Sequence, residues 1–410
     1  MLERQTPDPA RESCHHSSRN AERLVQSAKS EPLTDGGIRT SQLLSEALSI
    51  DPRHHEAQVL QERLHQTFVP RWHFPMLADK ARNSAYARAI EAKVKPGDVV
   101  LDIGCGAGLT AMLAARAGAK HVYTCEQQPL IAQAATQVIA DNGLSDRITV
   151  IPKWSHDIVV GEDIPVRADV VISEIVDTVL LGEGALATLT HAMAALAKPN
   201  ARAIPEQGTL LAQPVESRQL LDLWRPQQAE GFDLSAFHRF ARVAQLTPND
   251  FEACELRPLG PATELFAFDF TRPDINPARI TAELACARAG TVHAVLVTFE
   301  MDLAPGIHVA NGLHSGGHWG RTAFLLDSPE LATAGDRLTV TAQHDASQLS
   351  LSVHAPLARS EDAPSAALWM SPAWNANRPV RDTGGAPLPA ALARPSSAAA
   401  GIESQGRSYH

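Results

Sequence analysis

Residues 99–108 read Val-Val-Leu-Asp-Ile-Gly-Cys-Gly-Ala-Gly. An apolar run that ends in three spaced glycines permits few folds. Val99 to Asp102 reads as a buried strand and Leu109 to Ala117 as a helix. Glycines 104, 106 and 108 between them allow a ligand to approach the main chain, and the helix start offers unpaired N–H groups. The alternation continues. His121 to Glu126 predicts a second strand, Pro129 to Asn142 a second helix, and Ile148 to Ile151 and Asp169 to Ser173 further strands, with Lys198-Pro199-Asn200 closing the unit. Strands and helices in alternation predict an α/β fold with a parallel, doubly wound sheet over residues 67–204.

The rest of the chain reads differently. Residues 1–40 are polar and aperiodic, which predicts a disordered tail, and Cys14-His15-His16 lacks the partner spacing of a metal site. Residues 41–66 show helical periodicity, and Glu46 to Pro52 with Glu56-Ala57 resembles one fragment of a tetratricopeptide repeat, read as a helical lead-in. From 205 to 380 short alternating runs predict an antiparallel β domain, a barrel or sandwich, with a helical arm at about 216–240. The Ala/Pro/Ser-rich end, 381–410, predicts a second disordered tail.

A net charge of −10 argues against a nucleic-acid binder that works by neutralising phosphates. No stretch approaches the ~18 apolar residues of a membrane-spanning helix, so no membrane partner is expected. Five scattered cysteines without a C-x-x-C pair point to a reducing, cytoplasmic location.

Two features narrow the chemistry. The glycine spacing is G-x-G-x-G rather than the G-x-G-x-x-G of dinucleotide folds, and Glu126 at the tip of the next strand suits ribose hydroxyls. Farther on, Glu174 ends an apolar strand and Glu183 follows an apolar turn. Two close carboxylates repel unless a cation lies between them, and a planar guanidinium presents forked donors that fit both.

Val-Leu-Asp-Ile-Gly-Cys-Gly-x-Gly resembles motif I of class I S-adenosylmethionine (SAM) methyltransferases. Ser173-Glu174 with Glu183 nine residues later resembles the double-E loop of the protein arginine methyltransferase family. His73-Phe-Pro-Met76-Leu-Ala-Asp79-Lys-Ala-Arg82 is similar to that family's H-x-x-M-L-x-D-x-x-R stretch, Gly317-His318-Trp319 to its T-H-W loop, His293 to Leu303 to its W-F-D-V-D-F strand, and Gly231 to Ser235 to its G-F-D-M-S. The resemblance runs in order from about 70 to 360.

That resemblance implies a SAM-binding Rossmann-like domain, a β-barrel-like substrate domain with an arm, and methyl transfer to arginine in a protein substrate. It implies that Arg82 binds the SAM carboxylate, that Asp102, Gly104, Gly106 and Gly108 form the methionine-side loop, and that Glu126 binds the ribose. Met76 would line the transfer pocket, and His156 stands where the family carries an adenine-contacting acid. Glu174 and Glu183 would hold the guanidinium, Asp79 and His318 would form a proton route, and Trp319 would shape the arginine channel. The covering tyrosines of the asymmetric branch are missing, which leaves Phe68 and Trp72 for that role, and Gly184-Ala185 follows the second glutamate. Both features resemble the monomethylating and symmetric branches. The family's arm implies a homodimer, with Leu220, Leu221, Leu223 and Trp224 as interface candidates. A small-molecule methyltransferase and a non-catalytic protein retaining the fold are the alternatives.

Overall fold

In the computed structural model the described residues are 9–358, with side chains described over 18–354. The tail from 381, read from sequence as disordered, lies outside them. Residues 9–40 do not form the expected disordered tail. Helix α1 (Pro9–Ser30) packs on α2 (Ile38–Ile50), which packs on α3 (His55–Phe68). Ala21, Val25 and Ala28 on α1 meet Leu43, Leu44 and Ala47 on α2 and Ala57 on α3 in a small core of their own. The apolar stripe of α1 is only three or four residues wide in a polar sequence, so it is legible only beside its partner. The lead-in is therefore longer than the single fragment expected, and it is a three-helix unit. Its first turn docks by close approach: a Cβ on Gly36, whose φ is +70°, would stand 2.6 Å from the Pro129 ring.

Next come α4 (His73–Ala78) and α5 (Lys80–Lys93), with Asp79 as the cap of α5, accepting the Arg82 backbone N–H at 3.0 Å. The parallel sheet follows in the order β3-β2-β1-β4-β5. Its strands are β1 (Val99–Ile103), β2 (His121–Cys125), β3 (Ile148–Ile151), β4 (Ala168–Ser173) and β5 (Ala197–Ile204). Helices α6 (Leu109–Arg116), α7 (Pro129–Asp141) and α8 (Ala185–His191) connect them. All five residues of β1 are buried, as a central parallel strand requires. Lys198-Pro199-Asn200 does not close the unit. It lies inside β5, where the register shifts between Ala168 and Val170, and an edge strand tolerates proline.

Register sets the site. Ile103 pairs with Cys125 on one side and Ser173 on the other, so Gly104, Glu126 and Glu174 leave the sheet together at its carboxyl edge.

The C-terminal half is antiparallel and, among the described residues, forms two larger sheets and a two-stranded hairpin. One sheet holds β6 (Gln207–Glu216), β9 (Val243–Leu246), β10 (Arg257–Pro258), β11 (Thr263–Asp269), β13 (Gly290–Ala304), β14 (Ile307–Ala310) and β15 (Arg321–Ala332). The other holds β12 (Ala278–Ala285), β16 (Arg337–His344) and β17 (Leu349–Ala358). Between β6 and β9 the arm carries α9 (Arg218–Trp224), a short hairpin of β7 (Gln228–Ala229) and β8 (Phe232–Asp233), and a 3-10 turn at Ser235–Phe240. A last helix, α10 (Pro248–Ala253), follows β9. Leu220 is buried, and Leu221 and Trp224 pack on the same cluster, so these three serve the chain's own core rather than an interface.

Gly36 and Gly143 share nearly the same positive φ, but nothing lies within 4 Å of a Cβ at Gly143. Both alanine variants incur the left-handed penalty of about 1–2 kcal/mol. Gly36→Ala is expected to lower stability to denaturant further than Gly143→Ala, because only it pushes the helical unit off Pro129.

Candidate active site

Glu174 is the first residue past β4, and its side chain is 7% exposed. An acid so buried needs a partner, and Arg82 Nη2 donates to Glu174 Oε2 at 2.5 Å. Burial pushes the Glu174 carboxyl above its ordinary range, against the pull of the Arg82 guanidinium. Arg82 is itself 5% exposed, lies over the Tyr86 ring at 5.2 Å, and donates from Nη1 to Asn83. The side chains of Asp79 and Arg82 therefore do not form the surface pair their spacing allows. Asp79 turns to His318, accepting from its backbone N–H and from Nδ1, each at 3.0 Å.

That contact sets the imidazole. Asp79 is partly buried, which raises its pKa, yet the bonds from Arg82 and His318 outweigh this and hold it below the usual carboxylate range. An ionised carboxylate only accepts, so His318 Nδ1 carries the proton. Burial lowers the His318 pKa, which leaves the ring neutral and Nε2 a free acceptor 4.0 Å from Glu174 Oε1. Trp319 packs against His318 at 4.2 Å and edge-on to Phe299 at 5.3 Å, with its buried Nε1 unpaired.

Glu183 sits in the left-handed region, with φ 58°, and Leu180 in the same loop has φ 62°. Non-glycine residues persist there only when surroundings hold them. Asp177 does part of this, accepting the N–H groups of Val179 and Leu181. Glu183 is exposed to water as a residue, while its carboxyl lies close enough to protein to lose part of its hydration. That burial, then the charges of Glu174, Asp177 and Glu126, push its carboxyl up to about 7. The charge of Glu174 is thus felt at Glu183.

At the glycine loop, Glu126 is 8% exposed and accepts from Gly106 N at 3.1 Å and Gln128 N at 2.9 Å. Burial raises its pKa. Gly104, Gly106 and Gly108 all have positive φ, and a Cβ on Gly104 would lie 2.7 Å from Ile175. Asp102 is buried beneath the loop, bonded by Thr124, and burial raises it to about 6. Two buried polar atoms here have no partner, Arg82 Nε and Asp102 Oδ1. A donor and an acceptor left open beside a loop of main-chain glycines fit a zwitterionic cofactor.

Met76, on α4, is buried. His73 on the same helix was not singled out from sequence, although it opens the motif. It stands 3.9 Å from a Cβ position on Gly106, and Trp72 stacks on it at 4.0 Å. Phe68 does not cover the loop; it faces Gly37 in the helical unit. His156 is not drawn into the cluster either. Its ring lies between Trp154 at 4.4 Å and His191 at 4.6 Å, with Nδ1 buried and unpaired.

Comparison with known proteins agrees with this geometry. Residues 85–208 match the family model for ribosomal protein L11 methyltransferase. An arginine N(omega)-methyltransferase of Streptomyces achromogenes subsp. streptozoticus is 40% identical over 273 residues, covering 66% of this chain and 75% of that protein. The chain belongs to the arginine N-methyltransferase family. That membership makes it an arginine methyltransferase. Protein arginine N-methyltransferase 7 of Danio rerio is 30% identical over 319 residues, with 68% of this chain matching 45% of that protein, so this methyltransferase spans under half of that relative. The fold is shared with the Trypanosoma brucei PRMT1 enzyme-prozyme complex with AdoHcy, at a TM-score of 0.58, 24% identity and coverage of 66% of this chain and 86% of that one. It is shared also with Arabidopsis thaliana protein arginine methyltransferase 10, at a TM-score of 0.58, 20% identity and coverage of 71% and 93%.

The raised Glu183 pKa has a sign that can be measured. The carboxylate form, which a guanidinium needs, grows as pH climbs through about 7. It is about a tenth of the population one unit below and about nine tenths one unit above, so kcat/KM for an arginine substrate should rise about tenfold from pH 6 to 8. Glu183→Gln is expected to flatten that limb.

Proposed function

We propose that this methyltransferase acts on arginine presented in a protein, holding the guanidinium between Glu174 and Glu183. The observation that carries this is the nearness of the two carboxylates: after burial, the charge of Glu174 is the next cause that pushes the Glu183 carboxyl up to about 7. A cation placed there relieves the repulsion.

When bound, SAM supplies a methyl group on a sulfonium. The chain's own residues hold and aim. Arg82, with its spare Nε–H, suits the cofactor carboxylate, and the loop of Gly104, Gly106 and Gly108 above Asp102 suits its methionine portion. Glu126 suits the ribose, with His73 beside the loop, and buried Met76 stays the candidate for lining the transfer pocket. A guanidinium is a poor nucleophile because its lone pair is delocalised. Unequal hydrogen bonding from a paired Glu174 and a freer Glu183 localises density on one nitrogen and directs it. Arginine's pKa is above about 12, so its proton leaves as the new C–N bond forms or afterwards. His318 Nε2 is the acceptor, and Asp79 stabilises the resulting imidazolium. Trp319 walls the channel beside it. The orphaned Nδ1 of His156 keeps it as the candidate adenine contact.

Small residues after the second glutamate, Gly184 and Ala185, favour a mono- or symmetrically dimethylated product. A homodimer through the arm is supported by its uncovered side chains: Leu223, Phe232, Phe237 and Phe240 are 55%, 73%, 72% and 70% exposed. Light scattering at working concentration should give twice the chain mass, and a monomer would refute the arm. Free, buried Cys105, Cys125, Cys254 and Cys286 support a reducing, cytoplasmic setting.

A second reading takes free arginine as the substrate. The Streptomyces relative, which matches over more of its own length, is named for arginine without reference to a protein. Incubation with labelled SAM and an arginine-rich peptide, its lysine analogue or free L-arginine separates the two. Label on the arginine peptide, resolved by mass spectrometry as mono- or symmetric dimethylarginine, supports the first reading. Label on free arginine alone moves the substrate to the second, and label on the lysine peptide alone contradicts both.

A further inference from the structure

The double-glutamate loop and the His318 loop come from different halves of the chain, yet the proposed chemistry needs them in fixed relation. Asn311 lies between them, 1% exposed, just past β14. Its Oδ1 accepts the Phe299 N–H of β13 at 2.6 Å. Its Nδ2 donates to Thr178 O at 3.3 Å and Gly320 O at 3.0 Å. Thr178 stands between Glu174 and Glu183, and Gly320 is two residues after His318. One amide therefore ties three segments.

Arg321 completes the arrangement. It is 2% exposed, and among the described residues no carboxylate pairs with it. Its donors go to carbonyl oxygens instead: Nε to Asn311 and Nη1 to Trp319, both at 2.9 Å, and Nη2 to Gly312 at 3.2 Å and to Ser315. The guanidinium lies 4.1 Å from the Phe251 ring centre. It thereby winds residues 311–319 into one shape. Thr322 Oγ1, next in sequence, bonds Thr178 Oγ1 at 2.8 Å. Gly320 leaves no room for slack, since a Cβ there would lie 2.5 Å from Leu246 O and 3.4 Å from the Thr178 methyl.

We propose that Asn311, backed by Arg321 and Thr322, is a positioning residue that sets the double-glutamate loop against the His318 loop for methyl transfer. This deepens the reading of Glu174 and Glu183 as the guanidinium site. The left-handed backbone at Leu180 and Glu183 is strained, and the loop keeps it because Asp177 holds it from within and Asn311 holds Thr178 from outside. Loss of the amide takes away the partner of the buried Phe299 N–H and of two part-buried carbonyls, and leaves one strained loop unheld.

Asn311→Ala tests this, with Thr322→Val as the milder variant that keeps shape and removes one hydroxyl bond, and Thr322→Ser as the conservative rescue. The readouts are kcat, the KM for SAM, the pH midpoint of kcat/KM, and amide hydrogen exchange over residues 177–184. Asn311→Ala is expected to lower kcat at least tenfold with the SAM KM within about twofold, to move the midpoint from about 7 toward ordinary carboxylate values, and to speed exchange in the loop. Thr322→Val should change each in the same direction by a few fold, with Thr322→Ser near wild type. If Asn311→Ala does not fold, Thr322→Val decides alone. Unchanged exchange and an unchanged midpoint would overturn the proposal. If the wild type transfers nothing to arginine, the functional reading falls, and loop exchange still judges the positioning role.

Discussion

A carboxylate at the end of a buried parallel strand needs a cation, and Glu174 finds it in Arg82. Both are nearly dry, so removing either leaves an uncompensated charge worth about 3–5 kcal/mol. Much of the catalytic region hangs on that pair. It joins α5 to the edge of β4, stations Asp79 at the start of α5, and through Asp79 fixes which nitrogen of His318 carries a proton. The stable pair also makes the two glutamates unequal. Glu174 is held by Arg82, while Glu183 is crowded, charged only above about pH 7, and open to water. A symmetric pair would grip a guanidinium evenly; an unequal one can aim it.

The parallel half was legible because its signals are local. Buried strands of four to six residues, glycines at their carboxyl ends and acids at the next tips occur within short windows, and the register of β1 with β2 and β4 brings those tips together. The double-glutamate loop and the His-Trp pair were legible only through their family likeness, since neither has a periodicity. The helix Pro9–Ser30 was not legible, because Ala21, Val25 and Ala28 are a faint stripe until Leu43 and Leu44 face them. The strand Ala278–Ala285 was missed for a related reason: half of its residues face solvent in an edge position, and three of its five apolar residues are alanines, which are poor strand formers. Asn311 carries no sequence signal at all. Its importance comes from three segments that meet only in the folded chain.

The antiparallel half acts as a counter-wall. It contributes His318 and Trp319 to the recess and holds the outer side of the double-glutamate loop through Thr178. The helical unit at the start docks by Gly36 on Pro129, three residues beyond Glu126, and leads directly into the helix bearing His73 and Met76. The glycine loop and the double-glutamate loop are thus each braced by an element outside the parallel sheet.

The central claim is that Glu174 and Glu183 act together on one guanidinium. A double-mutant cycle on kcat/KM for an arginine substrate, with Glu174→Gln, Glu183→Gln and the double variant, tests it most directly. The account predicts that each single change removes most of the activity and that the double change is scarcely worse than the more damaging single one. Losses that simply multiply, or a single variant close to wild type, would contradict it.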